Sequence, residues 1–150
     1  MIKATFAPTQ KKPLTKSGVR IFSSTIKQGF GIGRIIGYPT LNLVIPDGFA
    51  LVSGVYGCRV RIKGDLFNGI LYYGPNVIVD KKLITLEIHL LPPFTDKRLS
   101  TFSALTEKEK IAVFLGVFIR KPMALTSLST LQKQISLDIN KLTNGVVNKL

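Results

Sequence analysis

The stretch GVYGCRVRIKGDLFNGILYYG, residues 54–74, decides the fold class. Cys58, Val60 and Ile62 alternate with Arg59, Arg61 and Lys63, the period of a half-buried strand with one apolar and one basic face. Gly64-Asp65 then reads as a tight turn into LFNGILYYG, so the whole stretch reads as a β-hairpin. Working outward, LITLEIHLL repeats the alternation: Ile84, Leu86, Ile88 and Leu90 share one face, Thr85, Glu87 and His89 the other. Upstream, VRIFSSTI and LNLVI are further strand candidates, the second ending at the turn signal Pro46-Asp47-Gly48. Thr106 and Glu109 have capping-box spacing, but IAVFLGVFI is β-branched and aromatic and reads as a buried strand. Ser127 can cap a helix on which Leu128, Leu131, Ile135, Ile139 and Leu142 recur on one face, stopping near Gly145. Five or six short strands and one terminal helix predict an antiparallel barrel with a helix packed beside it.

The composition bounds the function. At 150 residues, 45% hydrophobic and 19% charged, the chain reads as one folded domain, with residues 1–17 a flexible lead-in to a barrel domain over 18–150. No apolar run approaches the roughly 18 residues of a membrane helix, and the N-terminus has no secretory apolar core. Cys58 is the single cysteine, so no internal disulfide forms and a cytoplasmic location is expected. The net charge is +13, and no Asp or Glu precedes Asp47. Such a field attracts polyanions, whether nucleotides, nucleic acid or acidic membranes, while exposed lysines are also the default of any soluble surface.

Ahead of the second strand lies GFGIGRIIGYPTLNL, residues 29–43. Closely spaced glycines let backbone N–H groups approach an anion, and Arg34 adds charge. The segment matches neither the P-loop nor the dinucleotide fingerprint, so glycine alone leaves a phosphate cradle and a simple barrel-mouth loop open. Thr40 and Asn42 then emerge on one strand face; their neutral oxygens suit a hard cation that already carries phosphate oxygens, or they satisfy local backbone. Glu87, mid-strand where carboxylates are depleted, reads as a general base or as an exposed answer to the basic faces. His89 reads as a surface histidine, and no second His or Cys stands at zinc-ligand spacing.

In this order GFGIGR, GYPTLNL, SGVYGCRV, LEIHLL, VFIRKP and SLSTLQKQISLDI resemble the riboflavin kinase (flavokinase) family, over roughly Gly18 to Lys141. The resemblance implies a mainly β fold: a six-stranded antiparallel, Greek-key-like closed barrel with a C-terminal α-helix at about 127–143. It implies transfer of the γ-phosphate of ATP to riboflavin, giving FMN, with Mg2+ as cofactor. By the same resemblance Glu87 is the catalytic base and Thr40 and Asn42 hold the metal. Gly29, Gly31 and Gly33, with Arg34, form the phosphate loop, and Leu128, Leu131 and Gln132 belong to the region shaping the flavin pocket. The expected partners are ATP and riboflavin acting on a monomer, without membrane or nucleic acid. Relatives often carry a fused adenylyltransferase that makes FAD, an activity not expected of this chain. Two rivals stand beside the kinase: a weakly catalytic flavin- or nucleotide-binding sensor, and a basic nucleic-acid-binding barrel. Against the second, Tyr72-Tyr73 is the one adjacent aromatic pair and there is no Trp.

Overall fold

The computed structural model describes residues 20–27, 40–76, 80–91, 105, 108–125 and 127–143. Six strands, β1 (Arg20–Lys27), β2 (Thr40–Leu43), β3 (Gly54–Ile62), β4 (Asp65–Asn76), β5 (Asp80–Leu90) and β6 (Lys110–Arg120), precede one helix, α1 (Leu128–Lys141). The strands close into a barrel in the order β1-β2-β5-β4-β3-β6, every pairing antiparallel. The β3-β4-β5 meander and the return of β2 to the far side of β5 make the expected Greek key.

The β3–β4 hairpin forms as expected, but its turn lies one residue earlier than Gly64-Asp65, because Asp65 is already paired as the first residue of β4. Ile62 pairs with Asp65 across a two-residue turn, in which Lys63 (φ 49°) and Gly64 (φ 86°) both take positive φ. That backbone twist matches the twist of the flanking strands, so the hairpin closes without splaying. Lys63 is the costly member, and its ammonium lies 3.4 Å from Glu109 at the foot of β6. Pro46 to Phe49 form the other anticipated turn, with Gly48 at φ 68° and the Phe49 N–H donating to the Pro46 carbonyl at 3.0 Å.

Alternation sends Leu41, Leu43, Cys58, Val60, Ile62, Leu71, Leu86, Ile88, Leu90, Ile111, Val113 and Leu115 into the barrel interior. A second, smaller cluster lies outside the wall, where Val55, Ile70, Tyr72, Val117 and Ile119 meet Ile139 of α1 and Leu142, the residue capping its C-terminus. β6 serves both. Tyr56 pairs with Phe118 but Cys58 with Leu115, so β6 carries an extra residue between them. This bulge turns the odd-numbered side chains from inward at Ile111, Val113 and Leu115 to outward at Val117 and Ile119. The weak alternation of IAVFLGVFI has this cause, and its reading as a strand holds.

Ser127 caps α1 as expected: its Oγ accepts from the Thr130 N–H at 3.2 Å, and its own N–H donates to Thr130 Oγ1 at 3.2 Å. The helix binds the wall through more than its apolar stripe. Asp138, only 1% exposed, sits on that stripe between Ile135 and Leu142 and accepts from Arg120 Nε at 2.9 Å and Nη2 at 3.0 Å. Gln134 Nε2 donates to the same carboxylate at 3.0 Å. The stripe read from the sequence omitted this carboxylate.

Candidate active site

β2 is only four residues long, and its ladder to β5 fixes the site. Thr40 stands opposite His89 and Asn42 opposite Glu87, while Leu41 between them pairs with Ile88 in the core. With Leu41 and Ile88 inward, the period of two sends Thr40, Asn42, Glu87 and His89 together to the outer wall. On the other side of β5 the same rows continue with Tyr72 opposite Glu87 and Ile70 opposite His89. Ile70 and Tyr72 in turn pack against the cluster under α1. The site is therefore a patch of outer wall running from β2 across β5 to the flank of the helix.

Its electrostatics follow from burial. Desolvation raises the Glu87 pKa above the ordinary carboxylate value, and the nearby Thr85 hydroxyl opposes this with a smaller effect. The Thr85 Oγ1 is itself buried without a hydrogen-bond partner of good geometry among the described residues. Burial holds His89 down to about 4, with the negative charge of Asp138 acting weakly the other way, so the imidazole is neutral at physiological pH. Its Nδ1 lies 2.9 Å from Thr40 Oγ1. Burial pushes the Tyr72 hydroxyl up to about 12, the charge of Glu87 adding to the effect and that of Arg120 reducing it. Tyr72 donates to the Pro75 carbonyl at 2.5 Å. These couplings join Glu87, Tyr72, His89, Arg120 and Asp138 in one electrostatic neighbourhood.

Of the residues singled out in the sequence, Thr40, Asn42 and Glu87 converge on this patch. Glu87 is half-buried rather than exposed, which removes the reading of an exposed counter-charge. His89 was expected at the surface; at 7% exposure it is buried, because the outer wall here is covered rather than solvated. Leu128 and Leu131 are half-buried and Gln132 exposed on the first turns of α1, whereas the clustered contacts of the helix run through Ile139 and Leu142 at its other end. Gly29, Gly31, Gly33 and Arg34 lie outside the described residues. Lys27 pairs with Asn42, so the chain leaves and re-enters the described structure beside the Thr40–Asn42 edge. Tyr72 faces outward beside Glu87 while Tyr73 packs against the core, its ring 4.9 Å from Phe49. The adjacent tyrosines thus serve opposite faces and form no shared stacking surface.

Sequence reasoning missed Tyr72 and the Arg120–Asp138 pair. A carboxylate on an apolar helical stripe is a readable signal that a cation waits opposite; which cation required the fold.

The riboflavin kinase family model matches residues 19–145. The chain belongs to that family. A bifunctional riboflavin kinase/FMN adenylyltransferase of Buchnera aphidicola is 34% identical over 120 residues, covering 78% of this chain and 36% of the relative. An RNA-binding riboflavin kinase, RibR, of Bacillus subtilis is 31% identical over 121 residues, 80% of this chain and 48% of the relative. The chain therefore spans about a third to a half of the length of these flavokinase relatives. Among solved structures, a macrolide-efflux protein from Streptococcus pneumoniae superposes with a TM-score of 0.66 at 22% identity, over 92% of this chain and 46% of that one. At that identity the likeness concerns the fold alone.

Proposed function

We propose that this flavokinase-family chain transfers the γ-phosphate of ATP to the ribityl 5'-hydroxyl of riboflavin, producing FMN and ADP. The observation that carries the reading is the β2–β5 register, which sets Glu87 directly opposite Asn42 and Thr40 directly opposite His89 on one face. A proton acceptor and two neutral oxygen-bearing side chains side by side are what hydroxyl phosphorylation needs. The chemistry asks for positioning and charge neutralisation more than for covalent help.

The donor set fits Mg2+. Among the described residues no three His, Cys, Asp or Glu side chains cluster as a metal cage. Thr40 and Asn42 instead present neutral oxygens, suited to an ion that retains waters and nucleotide phosphates as its other ligands. Mg2+ bound with ATP supplies neutralisation of the charge on the transferring phosphoryl group. Glu87 orients the ribityl hydroxyl and takes its proton on a carboxylate oxygen. Its raised pKa makes it a stronger base than an exposed carboxylate. As the family resemblance implies, Gly29, Gly31, Gly33 and Arg34 hold the phosphates, in the segment that precedes Thr40 in the sequence. Leu128, Leu131 and Gln132 line the flavin side, and the Arg120–Asp138 pair holds α1 against the wall that carries Glu87.

The test is incubation with ATP, Mg2+ and riboflavin, with FMN read by chromatography. FMN formation is expected from the wild type. Glu87→Gln is expected to lose turnover by at least 100-fold, the range of general-base effects, while still binding ADP. A protein that binds riboflavin yet forms no FMN above background refutes the kinase and favours a flavin sensor.

A further inference from the structure

We propose that His89 is a positioning residue, which fixes the Thr40 hydroxyl in the orientation that receives the nucleotide-bound cation. The inference rests on the function proposed above. His89 is the only histidine in the chain and is buried mid-strand, flanked by Ile88 and Leu90, both fully in the core. An imidazole in such a place costs free energy unless its nitrogens are bonded, and an aliphatic side chain would pack there at no such cost. Its Nδ1 is bonded to Thr40 Oγ1, at 2.9 Å across the ladder.

Thr40 is the first residue of β2 and stands opposite His89 in the ladder to β5. Its branched Cβ leaves a choice between hydroxyl-bearing rotamers, and the imidazole selects one. A hydroxyl has one donor and two acceptor positions, so a bond to the ring does not exhaust it. The imidazole belongs to a long central strand between β2 and β4, a more rigid support than a loop would offer. Partners that orient a ligating side chain in this way typically contribute 10- to 100-fold to metal affinity.

Calorimetric titration of ADP with and without Mg2+ tests this, alongside riboflavin binding by fluorescence quenching. His89→Leu keeps the volume and removes the bond. It is expected to weaken Mg2+-dependent ADP binding about 10- to 100-fold, leaving metal-free ADP binding and riboflavin binding unchanged. His89→Asn, whose amide falls near the Nδ1 position, is expected to recover most of the loss. His89→Gln, whose amide reaches past it, is expected to resemble His89→Leu and replaces it should that variant not fold. Wild-type Mg2+·ADP affinity in both the Leu and Gln variants overturns the proposal. So does an equal loss of ADP binding with and without Mg2+ accompanied by loss of riboflavin binding, the mark of a merely structural histidine. If the wild type itself binds ADP indifferently to Mg2+, the function proposed above fails first, and this inference with it.

Discussion

Removing the Asp138 carboxylate is the sharpest test of how α1 is held. Asp138 accepts three hydrogen bonds, two from the Arg120 fork and one from Gln134, and it is almost entirely out of water. Asp138→Leu leaves the Arg120 guanidinium, itself 13% exposed, facing an apolar side chain. Breaking one side of a buried ion pair costs about 3–5 kcal/mol, most of it the stranded charge. For a domain of this size each kcal/mol shifts Tm by about 2–4 °C, so the melting temperature should fall by roughly 6–20 °C. Arg120→Met should cost a similar amount, because it strands the carboxylate, partly relieved by Gln134. The double variant should recover much of the loss, since an apolar pair of similar volume in place of a buried ion pair is often close to neutral. Urea unfolding of the four proteins closes a double-mutant cycle. A coupling energy within about 0.5 kcal/mol of zero, the scatter expected of independent sites, refutes the clamp.

Other outcomes follow from the same geometry. Because burial raises the Glu87 pKa, its ionised form opposes folding: this contribution to stability is full below the unfolded carboxylate pKa and is lost as pH rises through the folded one. Glu87→Gln should therefore melt above wild type at pH 7 while being inactive, with the gap closing as pH falls; a lower Tm at pH 7 contradicts this. FMN formation by wild type should decline toward acid as Glu87 protonates, with a midpoint above the ordinary glutamate value. Gly54→Ala should cost on the order of 2 kcal/mol or more, since φ is +156° and the added Cβ would meet the Arg120 carbonyl at 2.6 Å; denaturant titration measures it. Cys58 is buried in the barrel and its thiol is pushed well above the ordinary cysteine pKa, so a thiol reagent should modify it only at the rate of unfolding.

The sequence by itself determined the local elements and their faces. Alternation in residues 54–62 and 83–90 and the Ser127 cap are governed by neighbours two to four residues apart, so they were legible without the fold, whereas the hairpin turn read at Gly64-Asp65 falls one residue earlier, at Lys63-Gly64. So was the shared face of Thr40 and Asn42, which requires only the period of a strand. Register was not legible, because strand pairing joins residues far apart in the chain. Nothing in LNL or LEIHL says that Asn42 meets Glu87 and Thr40 meets His89. Burial outside the barrel was equally hidden. His89 alternates with core residues and so reads as surface, yet it is buried, and its cross-strand neighbour Ile70 belongs to the apolar cluster packed against α1. The bulge in β6 hid the same second core by switching the odd-numbered side chains from the interior to the helix side. Side-chain type and period fix what a residue can do; the pairing of distant strands, settled by closing the barrel and burying both of its faces, fixes what it does it with.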